Sequence, residues 1–145
     1  MIIIEDSRET SPLLFTSDKI EYVMKSKLNF GDYACVIDNK WCPIVFERKS
    51  LADLFGTLGK GHSRFRKEIN RSIEQGSQLV IIVEKPLKTI VKGHPRSQMK
   101  GIAVVRTLFT LMLKHHIPFV LCTSKEEMAL WITECFYGWS KLNGK

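Results

Sequence analysis

The chain has 145 residues, of which 44% are hydrophobic and 26% charged, and its formal net charge is +7. One domain of this length buries a sufficient core without disulfides or a structural metal, and the composition is that of a water-soluble globular protein. The apolar start, Met1 to Ile4, is too short for a secretory leader, and no run approaches a membrane span. Cys35, Cys42, Cys122 and Cys135 show no Cys-x-x-Cys spacing, so they read as buried thiols of a reducing, intracellular compartment rather than a zinc site. His115 and His116 have no acid near them in sequence and read as helix C-terminal residues.

No repeat, low-complexity tract or linker divides residues 1–145, which are expected to form a single domain. Ile2 to Ile4 predicts a short strand. Ser17 or Asp18 stands where a helix N-cap belongs, and a helix is expected through Lys27. The apolar runs Tyr33 to Ile37 and Cys42 to Phe46 then flank Asp38-Asn39-Lys40-Trp41, a hairpin pattern with Asn39-Lys40 at the turn centre. Tyr33, Cys35, Ile37, Cys42, Ile44 and Phe46 fall on one face of this hairpin, and Ala34, Val36, Pro43 and Val45 on the other. A sheet apolar on both faces must be covered on both, which predicts an α/β sandwich.

Helices are expected over Leu51 to Leu58 and Arg64 to Gln75, the second ended by Gly76. The unbroken run Leu79 to Val83 predicts a buried strand. Lys85 to Pro95, with two prolines and Gly93, reads as a loop, followed by a helix from about Gln98 to His115 that stops ahead of Pro118. Phe119 to Cys122 is the last predicted strand. Ser124-x-x-Glu127 is a capping box that opens the final helix. That helix carries a stripe at Met128, Trp131, Ile132, Cys135, Phe136 and Trp139, which fits a core face or a dimer face.

The chemistry concentrates in Gly31-Asp32-Tyr33 and Phe46-Glu47-Arg48-Lys49-Ser50-Leu51-Ala52-Asp53. In a hairpin folded at Asn39-Lys40, facing residues have numbers that sum to 79, as those of Asp32 and Glu47 do. Directly opposed Cβ atoms lie about 4.5–5.5 Å apart, so the two carboxylates are placed to share a divalent cation. Like charges so opposed destabilise a hairpin, and a metal removes that cost. The two-residue period of a strand puts Lys49 on the face of Glu47, where it can stabilise or deprotonate an attacking water.

Gly-Asp-Tyr followed by Glu-Arg-Lys-x-x-x-Asp resembles the nuclease domain of XPF-type structure-specific DNA endonucleases, the class shared by XPF, Mus and the archaeal Hef proteins. Ile4-Glu5-Asp6-Ser7-Arg8-Glu9 resembles that family's opening strand and loop. Gly61-His62-Ser63-Arg64-Phe65, Leu79 to Glu84 and the segment from Lys100-Gly101 resemble its later blocks in order, so the likeness spans essentially the whole chain. Two positions depart from the pattern: Phe46 stands where the family usually has Val or Ile, and Gly61-His62-Ser63-Arg64 is looser than the usual Gly-Arg.

The resemblance implies a restriction-endonuclease-like core, a central mixed sheet flanked by helices on both faces. It implies Asp32 and Glu47 as metal ligands, with the Arg48 carbonyl as a third, and Lys49 as base or transition-state stabiliser. Asp53 would support the site from the following helix, and Asp6, Arg8 and Glu9 would line it. Each of these carries a plainer reading. Asp53 follows Ser50 at capping-box spacing, Arg48 fits a far-face phosphate contact or an ion pair, and Asp6 and Glu9 fit ordinary strand-end acids.

Charge distribution adds a partner. Lys85 to Lys125 contains no Asp or Glu and eight Lys or Arg, while Lys60, Arg64, Arg66, Lys67 and Arg71 form a second basic group. Arg8, Arg64, Arg66, Lys67, Lys88, Lys92, Arg96 and Lys100 are therefore candidate phosphate contacts, set apart from the acidic centre. The expectation is an intracellular endonuclease that uses Mg2+ (or Mn2+) to hydrolyse phosphodiesters in branched, flapped or single-strand-containing DNA. A Holliday-junction resolvase on the same core and a silent DNA-binding partner subunit are the alternatives. Nucleases of this type usually carry a tandem helix-hairpin-helix domain, and none is expected within the residues up to Lys145. A homodimer through the last helix, or a partner protein, is expected to supply the missing grip on DNA.

Overall fold

The computed structural model describes residues 1–59 and 62–143, with the side chains of 59 and 62–64 outside the described set. Strand β1 (Ile2–Asp6) pairs in parallel with β2 (Tyr22–Ser26) and antiparallel with β3 (Tyr33–Ile37). The two-residue strand β4 (Lys40–Trp41) closes a hairpin on β3, and β5 (Ile44–Lys49) leads into α1 (Leu51–Gly59) and α2 (His62–Glu74). Then come β6 (Gln78–Val83), α3 (Leu87–Lys92), α4 (Gly101–His115), β7 (Phe119–Leu121) and α5 (Lys125–Asn143). The mixed sheet runs β2-β1-β3-β5-β6-β7, with β4 off this path beside β3. Among the described residues no helix is long and apolar enough to cross a membrane.

Both faces are covered, as two-sided apolarity requires. Ile4, Ala34, Val45, Leu79 and Ile81 pack with α1, α2 and α4 through Leu54, Phe65 and Leu108. Ile3, Tyr33, Cys35, Phe46 and Ile82 pack on the other side with α5 through Met128, Ile132 and Phe136. Cys35, Cys42 and Cys122 are buried free thiols, and Cys135 is half-buried.

Four sequence expectations change. The helix expected through Lys27 is absent: the Ser17 hydroxyl accepts from the Lys19 amide and the Ser17 carbonyl from the Ile20 amide, which makes a turn. The Tyr-Val-Met run after it takes its backbone bonds from β1, so tertiary pairing overrides the local cap signal. The hairpin turns one residue earlier, at Asp38-Asn39, both left-handed (φ 51° and 62°), and pairs Val36 with Trp41 and Ile37 with Lys40. Two extra residues around Cys42-Pro43 then shift the chain so that Tyr33 faces Phe46, the expected register at the functional end. Lys85 to Pro95 is not all loop: Pro86 presets an extended N-cap, and Ile90 anchors the short helix α3 in the core. Finally, α4 begins at Gly101 rather than Gln98, where a Cβ would lie 1.9 Å from the Ile90 carbonyl oxygen, so only glycine admits this crossing of α3 and α4.

The Ser124 hydroxyl accepts the Glu127 amide as expected, while the Glu127 carboxylate reaches back to the Thr123 amide and hydroxyl instead of to Ser124. In α5 the anticipated stripe divides. Met128, Ile132 and Phe136 are fully buried, Cys135 and Trp139 pack at the core's rim, and Trp131 is half exposed.

Candidate active site

The site forms where β3 and β5 leave their ladder. Gly31 has a left-handed φ of 74°, and a Cβ there would lie 2.3 Å from the Val45 side chain, so glycine is required at the entry to Asp32. Asp32 is then fixed from both neighbours. Its amide donates to the Phe46 carbonyl at 2.7 Å, and its carbonyl accepts the Asp6 amide at 2.8 Å. One carboxylate oxygen accepts the Arg48 amide at 2.8 Å. In an extended strand a residue's N–H and C=O leave on the same edge, so the Arg48 carbonyl is directed to the Asp32 edge too.

Glu47 is buried, and the Lys49 ammonium lies 3.1 Å from its Oε1 and 5.6 Å from the centre of the Phe65 ring. Burial first, and then the like charges of Asp32 and Glu68, push the Glu47 carboxyl up to about 9 despite Lys49. Burial likewise pushes Asp32 up to about 7, against the Arg48 amide and with the added repulsion of Glu9 and Glu68. Burial and mutual repulsion therefore outweigh the nearby ammonium, and the ion pair does not hold Glu47 in the ordinary carboxylate range.

A third acid, Glu68, joins the site from α2 without having been expected there, and its Oε1 accepts the Gly31 amide at 3.3 Å. The sequence does carry a signal for it: Glu68 is the lone acid between Asp53 and Glu74, set inside a basic run. With Arg8, Lys49, Asp53, Lys67 and Arg71 it lines a groove of about 730 Å3.

The other expected residues are distributed as follows. Asp53 is exposed in the groove while its amide donates to the Ser50 hydroxyl, so the capping geometry and the groove position coexist. Asp6 is buried and saturated, accepting from Arg8 Nε at 2.9 Å and from the Leu28 amide at 2.9 Å. Burial raises its carboxyl, but these hydrogen bonds more than offset that and hold it low. Asp6 thus braces the entry loop and holds Arg8, whose side chain stays largely exposed at the groove.

Arg48 turns to the opposite face, as strand alternation dictates. Its guanidinium lies 3.6 Å from the Glu9 carboxylate and 3.3 Å from that of Glu84, and it donates to the Ser11 carbonyl. The ion-pair reading of the Arg48 side chain is the one observed. Glu5 is buried on that same face, where burial raises its carboxyl.

Among the proposed DNA contacts, Arg8 and Lys67 line the groove, and Arg66 lines a separate cleft between α2 and α4. The Arg64 side chain and the Lys60-Gly61 start of its sequence block lie outside the described residues. Lys88 and Lys92 on α3, and Arg96 and Lys100 in the following connection, are exposed. The His94 ring in that connection is 6.0 Å from Phe55 of α1, so the basic segment sits beside the helix that carries Asp53.

These donors suit a hard divalent cation. They are oxygens only, desolvated and mutually repelling, and among the described residues no three His, Cys, Asp or Glu side chains form a full cage. Magnesium in particular is held by one or two carboxylates while keeping several waters.

The family model described as the ERCC4 domain matches residues 5–135. The chain belongs to the ERCC4 domain family. No curated protein sequence matches it. Among solved structures it is similar to XPF from Aeropyrum pernix, at 22% identity and a TM-score of 0.68, over all of this chain and 66% of that one. It is also similar to XPF from Aeropyrum pernix in complex with DNA, at 24% identity and a TM-score of 0.70, over 99% of this chain and 64% of the other. The chain thus spans about two thirds of the length of these two structures. Their shared architecture is the expected restriction-endonuclease-like one, a mixed sheet between helices. In this ERCC4 domain the Glu-Arg-Lys run of β5 divides across the sheet, with Glu47 and Lys49 toward the groove and Arg48 behind it.

Proposed function

We propose that this ERCC4 domain is a divalent-metal-dependent DNA endonuclease that cuts branched, flapped or single-strand-containing DNA. The observation that carries the reading is the buried Glu47 on the strand beside half-buried Asp32, with the ammonium of Lys49, which lines the groove, 3.1 Å from Glu47. Asp32, Glu47 and the Arg48 carbonyl would hold a magnesium or manganese ion, which supplies an acidified water and offsets phosphate charge when bound. Hydrolysis would add a water to phosphorus and break one P–O ester bond, the departing oxygen taking up a proton. Lys49 faces the same space and neutralises the charge that grows on the non-bridging oxygens. Arg8, Lys67 and Arg71 on the groove wall clamp the phosphates on either side, and Asp53 lies at the rim. Family likeness supports the choice of partner, since one similar structure is an XPF complex with DNA.

A two-fold dimer is the second element of the proposal. With Phe136 spent in the core, the surface available on α5 is Leu130, Trp131 and Leu142, all at least half exposed. Sedimentation at micromolar concentration should show a dimer that Trp131→Glu dissociates; a strict monomer refutes this part alone.

The deciding assay is nicking of flapped and intact duplex DNA with magnesium and with a chelator. Magnesium-dependent cleavage of the flapped substrate is expected. Binding without cleavage in either magnesium or manganese overturns the catalytic reading.

A further inference from the structure

A second cleft adjoins the groove. It has a volume of about 440 Å3 and is lined by residues including Lys27, Asn29, Trp41, Gln75 and Ser77. Its floor is Ala34 and Val45, on the same sheet face as Asp32 and Glu47 and two residues back along the same strands. At strand rise that is roughly 7 Å along the backbone from Asp32 and Glu47. The segment from Lys27 to Phe30 lines this cleft and is tied to the groove by two arginines. Arg8 donates to the Leu28 carbonyl at 3.1 Å and Arg71 to the Asn29 carbonyl at 3.4 Å, and both guanidinium groups face the groove.

Trp41 is the unexplained residue there. Its side chain is 61% exposed although it is among the largest apolar groups in the chain, and folding buries little of it. Its backbone is held in place, because β4 pairs with β3 through Val36 and follows the tight left-handed turn at Asp38-Asn39. An open indole carried on a paired strand is a stacking surface. Asn29, Gln75 and Ser77, whose side chains can donate and accept, line the same cleft with Lys27, and no carboxylate is in the lining. A flat, uncharged, hydrogen-bonding ring carried on an anionic backbone fits that set. A base inside a duplex has its faces occupied and cannot use it.

We propose that this cleft binds an unpaired nucleotide of the substrate, its base stacked on Trp41 and its phosphate near Lys27. This rests on the nuclease reading and deepens it, since it gives a physical reason for preferring single-stranded character next to the cut. Base–aromatic stacking is sequence-tolerant, and its loss to alanine costs about 5- to 150-fold in affinity. The cleft should therefore read strandedness and not sequence.

The test is anisotropy of labelled flapped DNA and of a matched intact duplex, in chelator, with the full chain and with Trp41→Ala and Trp41→Phe. Trp41→Ala should weaken flap binding by about 5- to 150-fold, leave duplex binding within about two-fold, and be largely restored in Trp41→Phe. A 2-aminopurine one nucleotide from the junction should be quenched by the wild-type chain and not by Trp41→Ala. Equal loss on both DNAs, no loss on either, or a change in self-association instead of DNA binding each overturns the proposal. Magnesium-dependent nicking is followed in parallel. Nicking with Trp41→Ala binding unchanged removes the subsite alone, whereas Trp41-dependent flap binding without nicking removes the nuclease reading and leaves the subsite standing.

Discussion

Glu47→Gln keeps the shape of a buried side chain while removing its titration, and its effect on stability follows from the site's electrostatics. In the folded, metal-free protein Glu47 holds its proton up to about pH 9, against an ordinary value of 4.5. Between those values the folded state binds a proton that the unfolded chain has released, so stability falls as pH rises. The slope limit is about 1.4 kcal/mol per pH unit for one proton. From pH 5 to pH 7 the ceiling is about 3 kcal/mol, and water entry on relaxation should bring it to about 1–2 kcal/mol. Asp32, raised to about 7, adds a fall of the same sign below that pH. Glutamine does not titrate. The variant should therefore match the wild type near pH 5 and be about 1–2 kcal/mol more stable at pH 7, because the unfolded wild-type chain gains by releasing the Glu47 proton and glutamine has none to release. Urea denaturation in chelator at several pH values measures this directly. Excess magnesium should restore the wild type at pH 8 and leave the variant unchanged. Parallel pH profiles for the two proteins, or a variant that loses stability at pH 7, would refute the reasoning.

Asp32→Ala should abolish cleavage while DNA binding stays near normal or tightens, since a repelling charge leaves the groove; retained magnesium-dependent nicking removes Asp32 from the mechanism. Lys49→Ala should lower the cleavage rate by about 10²–10³ with manganese affinity by titration unchanged or higher, and a large fall in that affinity would instead make Lys49 a structural partner of Glu47. Lys88→Ala with Arg96→Ala should reduce the log–log salt slope of DNA binding by about one for each phosphate-neutralising charge removed; an unchanged slope makes that face merely solvated. Glu68→Gln should weaken manganese binding several-fold while keeping the fold, because the amide oxygen still accepts the Gly31 amide but the third negative charge is gone. A variant equal to wild type in that titration confines Glu68 to holding the turn.

The functional end of the hairpin was legible because it depends on alternation. Tyr33 opposite Phe46, and Glu47 with Lys49 on one face, follow from a period of two and from which residues are apolar. The turn itself lies one residue earlier than its pattern suggests, and the displacement around Cys42-Pro43 restores the register, a compensation that no local pattern announces. The strand at Tyr22–Ser26 was hidden for another reason. It is exposed along its length, so burial wrote no alternation into it, and only its pairing with β1 defines it. Glu68 and the Arg48 ion pairs depend on packing between elements distant in sequence, which residue spacing does not encode.

Arg48 ties the two sides of the sheet into one mechanical unit. Its amide grips Asp32 in front, and its guanidinium is moored behind to Glu9, Glu84 and the Ser11 carbonyl. Those moorings lie after β1 and at the end of β6, so three separate stretches of chain meet on one residue whose neighbours bear the chemistry. A lysine there would keep the charge and lose the fork that reaches both acids at once. Damage to Arg48, Glu9 or Glu84 should thus resemble a catalytic lesion although none of the three side chains enters the groove. The back of the sheet works as the anvil on which the front is held true.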